Sequence, residues 1–163
     1  MRKPAPALPM SSFKVSFATK RDVGLLAAHR QKMWLDIHPE WREEVRESKE
    51  VTREWIESQL SKKRLVGFIV RTAGGDVAGS GCVWIREEQP RPTNPRMEAP
   101  YLMSMYTEKG FRRRGVATLV VKAALKWCRR RRYQRITLHA SKAGRPVYEG
   151  LGFEPANEMR LIL

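Results

Sequence analysis

The sequence predicts a single α/β domain in which helices cover both faces of a mixed β-sheet. Three observations support this prediction: alternating or continuous apolar runs typical of strands, an amphipathic helical stretch directly after the most apolar run, and the interleaving of both kinds along the chain. The predicted element order is β-α-α-β-β-β-α-β-α-β, a three-layer α-β-α arrangement with a mixed sheet. With 163 residues, the chain is expected to form one domain over 13–163 after a flexible, basic, proline-rich arm over 1–12.

The first part of the chain predicts one strand and two helices. Residues 13–18 alternate apolar and polar side chains, which favours a strand. Thr19 is followed by an acid three residues later, a helix-start signal, so a helix is predicted from residue 20 until Pro39 stops it. A second helix with an irregular apolar stripe is predicted over 40–60.

The middle of the chain predicts three strands. The β-rich runs over 65–72 and 77–86 are separated by Ala73-Gly-Gly-Asp76, which indicates a hairpin. Residues 87–98 are polar and contain three prolines, so they are predicted to form a loop. The nearly continuous apolar run over 101–107 is typical of a strand that is covered on both faces.

The last part predicts a helix, a strand, a short helix and a closing strand. From Val116 to Trp127, apolar side chains recur at i, i+3, i+4, i+7, i+8 and i+11, so this helix is expected to pack on the sheet. A strand is predicted over 135–141, a short helix over 146–151, and a final strand over 159–163.

Positive charge is concentrated in one segment. The chain carries 32 Lys and Arg against 17 Asp and Glu, a formal net charge of +15. Residues 109–135 hold eleven basic and no acidic residues, whereas residues 40–57 hold seven Glu against four basic residues. This uneven distribution indicates an anionic partner for the basic half rather than uniform binding to nucleic acid.

Several classes of protein are disfavoured by what the sequence lacks. No apolar run approaches the roughly 20 residues of a spanning helix, and the first residues lack the apolar core of a secretory signal. Cys82 and Cys128 lie in apolar segments without metal-binding spacing, which is typical of buried, reduced thiols. The three histidines show no metal-ligand spacing either. We therefore expect a cytoplasmic protein without a membrane or metal partner.

The segment Gly110-Phe-Arg-Arg-Arg-Gly115-Val-Ala-Thr118 joins the most apolar strand to the clearest helix. Such a junction directs free backbone N–H groups and the positive end of the helix dipole at one point, which suits phosphate. Val116-Ala117 replaces the Lys-Ser/Thr of a Walker A loop, and the glycines lack GxGxxG spacing. Nucleotide hydrolysis and a dinucleotide site are therefore both disfavoured.

At these residues the chain resembles the GNAT family of acetyl-CoA-dependent N-acetyltransferases. Arg112-Arg-Arg-Gly115-Val-Ala117 is similar to the family signature Gln/Arg-x-x-Gly-x-Gly/Ala, and Tyr148-Glu-Gly-Leu-Gly152-Phe153 is similar to its Tyr-x-x-x-Gly-Phe. The resemblance covers roughly residues 13–163 and is most specific over 101–153. It implies the GNAT acyl-CoA N-acyltransferase fold, with acetyl-CoA as cosubstrate and no metal.

The resemblance also implies roles for individual residues. Backbone amides from Arg113 to Thr118 would cradle the CoA pyrophosphate, and the main chain of 105–107 would pair with pantetheine and polarise the acetyl carbonyl. Tyr148 would be the general acid for the departing thiolate. Ser141 stands where the family often has Asn, and its side chain reaches less far. The expected cofactor-binding residues are Met105, Tyr106, Thr107, Arg112, Arg113, Arg114, Gly115, Val116, Ala117, Thr118 and Ser141.

The implied reaction is direct transfer of acetyl to a primary amine of a small-molecule or peptidic acceptor. Glu98, Tyr101 and a water relay remain alternatives for the base that deprotonates the amine. Two other functions stay open: a CoA-binding sensor without catalysis, and a basic nucleic-acid-binding module, which the few aromatics within 109–135 disfavour. The resemblance leaves room for a homodimer. The Arg129–Arg132 run could complement a helix C-terminus or contact a CoA phosphate or RNA.

Overall fold

A computed structural model of the chain describes residues 12–163, so the arm predicted over 1–12 lies almost wholly outside the described residues. The strands are β1 (Phe13–Phe17), β2 (Leu65–Thr72), β3 (Val77–Glu87), β4 (Glu98–Thr107) and β5 (Thr137–Leu138). The helices are α1 (Val23–Ile37), α2 (Arg42–Glu47), α3 (Lys49–Ser61), α4 (Val116–Arg130) and α5 (Arg145–Glu149). Short 3-10 turns precede α1 at Lys20–Asp22 and follow β4 at Lys109–Phe111.

The five strands form one mixed sheet in the order β1-β2-β3-β4-β5. The first four strands are antiparallel neighbours, and β5 runs parallel to β4. One face of the sheet packs against α4 through Phe68, Val83 and Val120, and the other packs against α1 and α3 through Ile69 and Leu26. The predicted three-layer α/β fold is therefore confirmed.

The sheet splits between β4 and β5. These strands pair only at Tyr101–Thr137 and Leu102–Leu138. Just beyond this point β4 carries one extra residue relative to β3, a bulge, and Ser104 has a φ of +54°. The bulge turns the second half of β4 away from the chain that follows β5. A cleft opens there, which we call the fork.

Three sequence predictions need correction. The helix predicted over 40–60 is broken at Ser48, whose hydroxyl donates to the carbonyl of Val45 at 3.2 Å and so competes with the helical pattern. The strand predicted over 135–141 is reduced to β5 because the bulge removes its partner. The strand predicted over 159–163 does not form, since so short a β5 offers little edge for another strand.

A buried polar chain fixes α1 to the end of β4. His29 is 1% exposed; its Nδ1 lies 2.7 Å from Ser80 Oγ and its Nε2 lies 3.1 Å from Glu108 Oε1. Burial lowers the pKa of His29, although Glu108 opposes this shift, so the neutral ring is favoured. Ser80 is also 1% exposed. This Ser-His-Glu arrangement is closed to substrate and acts as a brace between α1 and the sheet.

Gly79 allows β3 to lie against the end of β4 and the start of α4. A Cβ atom at this position would lie 2.6 Å from the carbonyl oxygen of Tyr106 and 2.8 Å from Cγ1 of Val116. Both distances are shorter than a normal van der Waals contact. A side chain at position 79 would therefore push the two elements that border the fork apart.

We predict that Gly79→Ala lowers the free energy of unfolding by about 1–3 kcal/mol, the usual cost of overpacking a core. Gly24→Ala is the matched control because Gly24 lies within α1 and its added Cβ would meet no atom within 4 Å. The control should stabilise the protein by about 0.5–1 kcal/mol through helix propensity. Urea denaturation of both variants measures the difference. Equal stability of the two variants would contradict the assigned close approach.

Candidate active site

The fork contains a cavity of about 820 Å³. Its walls come from the end of α1, the second half of β4, the loop and first turn leading into α4, residues 141–144, and α5. The lining residues are Met33, Asp36, Ile37, Met105, Tyr106, Thr107, Arg112, Arg113, Gly115, Val116, Ala117, Thr118, Ser141, Lys142, Ala143, Gly144, Val147 and Tyr148. The volume lies within the range of small-molecule and cofactor pockets.

The N-terminus of α4 gives one wall an anion-binding character. Gly115 adopts a φ of +79° as the N-cap residue, and no side chain caps the first turn. The first amides of a helix have no intrahelical acceptor, so those of 116–118 are free to bind a ligand. Arg113 also has a positive φ, of +58°, which shapes the turn before Gly115. This geometry fits a phosphate group, as the sequence predicted.

Arg112 braces the same loop. Its Nε donates to the carbonyl oxygen of Thr107 at 3.1 Å, its guanidinium forms an ion pair with Asp36 of α1, and it lies 5.6 Å from the ring centroid of Tyr106. The side chain thus connects β4, the loop and α1. Its charge is largely compensated by Asp36, which leaves the backbone amides as the main feature of this wall.

Tyr148 closes the cavity on the α4 side of the sheet. It is 9% exposed and packs edge-on against Phe153 at 5.9 Å. Burial raises the pKa of Tyr148 to about 12, and the neighbouring Tyr101 adds to the effect. The phenol therefore keeps its proton at neutral pH. Ser141 turns the chain toward this wall, with its hydroxyl accepting a hydrogen bond from the amide of Gly144 at 3.1 Å.

A second group of polar side chains stands where the fork begins. The Tyr101 hydroxyl is hydrogen-bonded to Nδ1 of His139, and Nε2 of His139 lies 2.9 Å from Oε1 of Glu158. A carboxylate can only accept, so Nε2 of the neutral ring carries the hydrogen and Nδ1 accepts from Tyr101. Burial raises the pKa of Tyr101, although Arg86 opposes the shift.

These two tyrosines lie on opposite faces of the sheet. Tyr101 pairs in register with Trp84, whose ring packs against Trp55 of α3. Tyr148 belongs to the cluster on the α4 face, together with Leu138. Tyr148 lines the cavity, whereas Tyr101 and His139 lie outside its lining.

Glu98, another candidate base, is engaged elsewhere. Its Oε1 lies 2.8 Å from Nη1 of Arg64, and its Oε2 accepts from the Tyr133 hydroxyl at 3.1 Å. Arg96 is a third partner, at 3.9 Å. Glu98 does not line the cavity. Tyr101 does not line the cavity either, but the Glu98 carboxylate is held by two basic side chains and a tyrosine, which favours Tyr101 as the base.

Ten of the eleven residues expected to bind the cofactor line the cavity. The exception is Arg114, whose guanidinium lies 5.8 Å from the ring centroid of Phe111. The sequence missed Asp36 and the neighbouring end of α1, because no local motif shows which helix the fold places beside the loop. The sequence assigned His139 no role in the site. This residue falls within the strand predicted over 135–141, and no local motif shows that this strand pairs with the one that contains Tyr101.

The Arg129–Arg132 run lies at the end of α4 that points away from the cavity. At the usual helical rise, the 15 residues of α4 separate its ends by roughly 22 Å. Arg129 and Arg130 occupy the last turn, where a cation complements the helix dipole. The guanidinium of Arg131 lies 5.2 Å from the ring centroid of Trp127. The run is therefore remote from the cavity wall that the N-terminus of α4 forms.

Residues 12–163 contain neither a membrane-spanning helix nor a candidate metal cluster. None of the described helices is long and apolar enough to cross a membrane. No group of three or more His, Cys, Asp and Glu side chains in the same part of the chain could hold a metal ion.

Comparisons with known proteins identify the family. A GNAT-family acetyltransferase model matches residues 31–153. A GCN5-related N-acetyltransferase from Ralstonia eutropha JMP134 superimposes with a TM-score of 0.84 at 21% identity, covering 93% of this chain and 98% of its own. A predicted acetyltransferase from Clostridium acetobutylicum, solved with acetyl-CoA, superimposes with a TM-score of 0.81 at 25% identity. The match covers 93% of this chain and 96% of the Clostridium chain.

Aminoglycoside N-acetyltransferase AAC(6')-Iy in complex with CoA gives a TM-score of 0.67 at 18% identity, and 93% of each chain is covered. A search of curated proteins found no match. The family model spans well over half of the chain and includes the loop before α4 and the Tyr148 segment that form the cavity. The chain belongs to the GNAT acetyltransferase family.

Proposed function

We propose that this protein transfers the acetyl group of acetyl-CoA to a primary amine of a small molecule or peptide. The observation that carries the proposal is the fork, where free helix amides, an unpaired stretch of β4 and a buried tyrosine surround one cavity. Acetyl-CoA supplies a thioester that an amine can attack. The residues below bind that thioester and move the protons.

The cavity fits the shape and polarity of CoA. The amides of Val116–Thr118 face the position for the pyrophosphate, and the unpaired edge of β4 at 105–107 offers backbone groups to an extended pantetheine arm. Ser141 borders the cavity across from β4. A donor from the β4 backbone beside the bulge would stabilise negative charge on the acetyl oxygen during transfer.

Tyr148 would donate a proton to the departing thiolate. A phenol with a pKa raised to about 12 is a weaker acid than an exposed tyrosine, but burial also raises the pKa of a thiol held in the same cavity. Because both anions lose solvation together, the acid and the leaving group stay approximately matched. Burial of Tyr148 also keeps water from the thioester.

Tyr101 would accept the proton of the attacking amine and pass its own proton to His139. As the ammonium proton moves to the Tyr101 oxygen, the tyrosine proton passes to Nδ1 of His139, and Glu158 stabilises the resulting imidazolium. The amine then attacks the acetyl carbon, and the C–S bond breaks as sulfur takes the Tyr148 proton. The nitrogen then passes its second proton to the Tyr148 phenolate, and His139 releases the first proton to solvent, so one proton is released overall.

We predict that Tyr148→Phe lowers kcat by about 10²-fold, the lower range for general acid catalysis, because the thiolate must then leave unprotonated. The Kd for acetyl-CoA should change by less than about twofold, since the helix amides remain in place. Thiol release with a panel of primary amines measures kcat, and calorimetry measures the Kd. Tyr133→Phe is the control, because Tyr133 donates to Glu98 away from the cavity.

A wild-type protein that binds acetyl-CoA but releases no thiol with any amine would support the sensor alternative instead. Tight, salt-dependent binding of a short RNA without acetyl-CoA binding would support the nucleic-acid alternative.

We predict that His139→Gln and Tyr101→Phe each lower kcat/KM by about 10–100-fold, because either change interrupts the same proton path. The double variant should be no slower than the slower single variant. The groups that face His139 directly are Tyr101 and Glu158, with Arg86 behind Tyr101.

His38→Gln is the matched control for the histidine, since His38 is also partly exposed and lies 3.1 Å from the carboxylate of Glu40. Multiplicative effects of the two single changes would show that the amine loses its proton by another route.

A further inference from the structure

Two arginines beside Tyr101 lack the carboxylate partner that comparable arginines have. Within residues 12–163, the half-buried arginines are Arg30, Arg64, Arg71, Arg86, Arg96 and Arg114. Arg64, Arg71 and Arg96 each lie within ion-pair distance of a carboxylate, and Arg114 belongs to the loop before α4. In the described chain, Arg30, Arg86 and Arg114 have no carboxylate within ion-pair distance, and of these Arg30 and Arg86 interact with Tyr101.

Arg30 extends from α1 toward the bulge of β4. Its Nη1 donates to Oγ of Ser104 at 2.9 Å, and its guanidinium lies 5.4 Å from the ring centroid of Trp34. A hydroxyl and an indole face do not neutralise a guanidinium. Burial therefore lowers the pKa of Arg30, and Tyr101 is among the few groups that oppose the shift.

Arg86 approaches the same tyrosine from β3. Its guanidinium lies 4.3 Å from the ring centroid of Tyr101, and its Nη2 donates to the hydroxyl of Thr137 at 3.2 Å. The two arginines thus come from different elements: Arg86 lies against the Tyr101 ring, and Arg30 interacts with the same tyrosine electrostatically. A desolvated guanidinium favours a carboxylate or phosphate oxygen, often in a two-point contact.

We propose that Arg30 and Arg86 bind an anionic group on the acceptor itself, so that the acceptor is an amine with a carboxylate close by, as in a free α-amino acid. This inference rests on the proposed function. A carboxylate on these arginines would place its neighbouring amine beside the Tyr101 hydroxyl. The same two cations disfavour an uncompensated ammonium group, so polyamines and the N-termini of peptides fit less well.

The two arginines also favour the chemical step. A positive charge near an ammonium lowers its pKa and so assists the transfer of its proton to Tyr101. The carboxylate of the acceptor compensates the arginines during binding and leaves the amine as the only group that must lose a charge. Recognition and activation of the amine would therefore depend on the same pair of side chains.

The test compares alanine, methionine and phenylalanine with their amides as acceptors. The ammonium group of an amino-acid amide is more acidic than that of the free amino acid, so intrinsic reactivity favours the amide. A preference for the free acid would therefore indicate that the arginines bind its carboxylate. We expect kcat/KM to favour the free acid in the wild type. Arg30→Gln and Arg86→Gln should each reduce kcat/KM for the free acid by about 10–100-fold, the range for one hydrogen bond to a charged group. The kcat/KM for the amide should change by less than about threefold.

Arg96→Gln is the matched control. Arg96 is likewise half-buried and lies 4.1 Å from a tyrosine ring centroid, that of Tyr133, but it has Glu98 as a partner. Arg96→Gln should leave the ratio of kcat/KM for the free acid to kcat/KM for the amide unchanged. Arg30→Lys keeps the charge without the planar fork and should restore part of the preference, which distinguishes lost recognition from lost folding.

The outcomes separate this inference from the function on which it rests. A wild type that acetylates amides as well as free acids would overturn the anionic acceptor while the acetyltransferase stands. A wild type that binds acetyl-CoA but acetylates no amine would overturn the proposed function. Calorimetry with methionine and methioninamide in the presence of CoA then tests whether the arginines bind a carboxylate. Equal affinity for the two compounds, or an affinity for methionine that Arg30→Gln does not change, would overturn the anion site as well.

Discussion

The separation of β4 from β5 is the constraint on which the rest of the site depends. Parallel strands normally continue their hydrogen bonds along their length, but the extra residue in β4 at Ser104 ends the pairing after Leu102–Leu138. The cavity occupies the space this leaves, and the free edge of β4 forms one of its walls. The bulge also directs Ser104 toward Arg30, which couples the opening of the sheet to the position of α1.

The excess positive charge has a different distribution in space from the one the sequence implied. The basic segment 109–135 surrounds the predicted phosphate-binding turn in sequence. At the cavity it contributes the first amides of α4 and Arg113, whereas Arg112 is paired with Asp36. Arg129–Arg132 lie at the opposite end of α4. Backbone amides bind phosphate through fixed geometry, whereas surface cations act through a screened field. The net charge of +15 therefore describes the surface of the protein better than its site.

The parts of the structure that were predictable are those determined by local sequence. Strand β2 was predicted at its observed bounds, Leu65–Thr72, and α4 was predicted from its regular apolar stripe. The loop before α4 was found from its glycine and arginine spacing. The length of β5 was not predictable, because it depends on a bulge in another strand. Asp36 and Arg30 were missed for the same kind of reason, since only the tertiary packing of α1 brings them to the fork.

The two faces of the fork differ in exposure in a way that matches the proton balance of the proposed reaction. Transfer of acetyl from a thioester to an amine that binds as an ammonium group releases one proton overall, so one side of the site must reach water. Tyr148, on the α4 face, is 9% exposed, whereas the side chains of His139 and Glu158 are 60% and 70% exposed. A closed acid protects the thioester from hydrolysis, and an open relay passes the released proton to solvent. If the acid were exposed and the relay buried, the thioester would be open to water and the released proton would be trapped. The difference in exposure therefore favours Tyr101 as the acceptor of the amine proton and Tyr148 as the donor to sulfur.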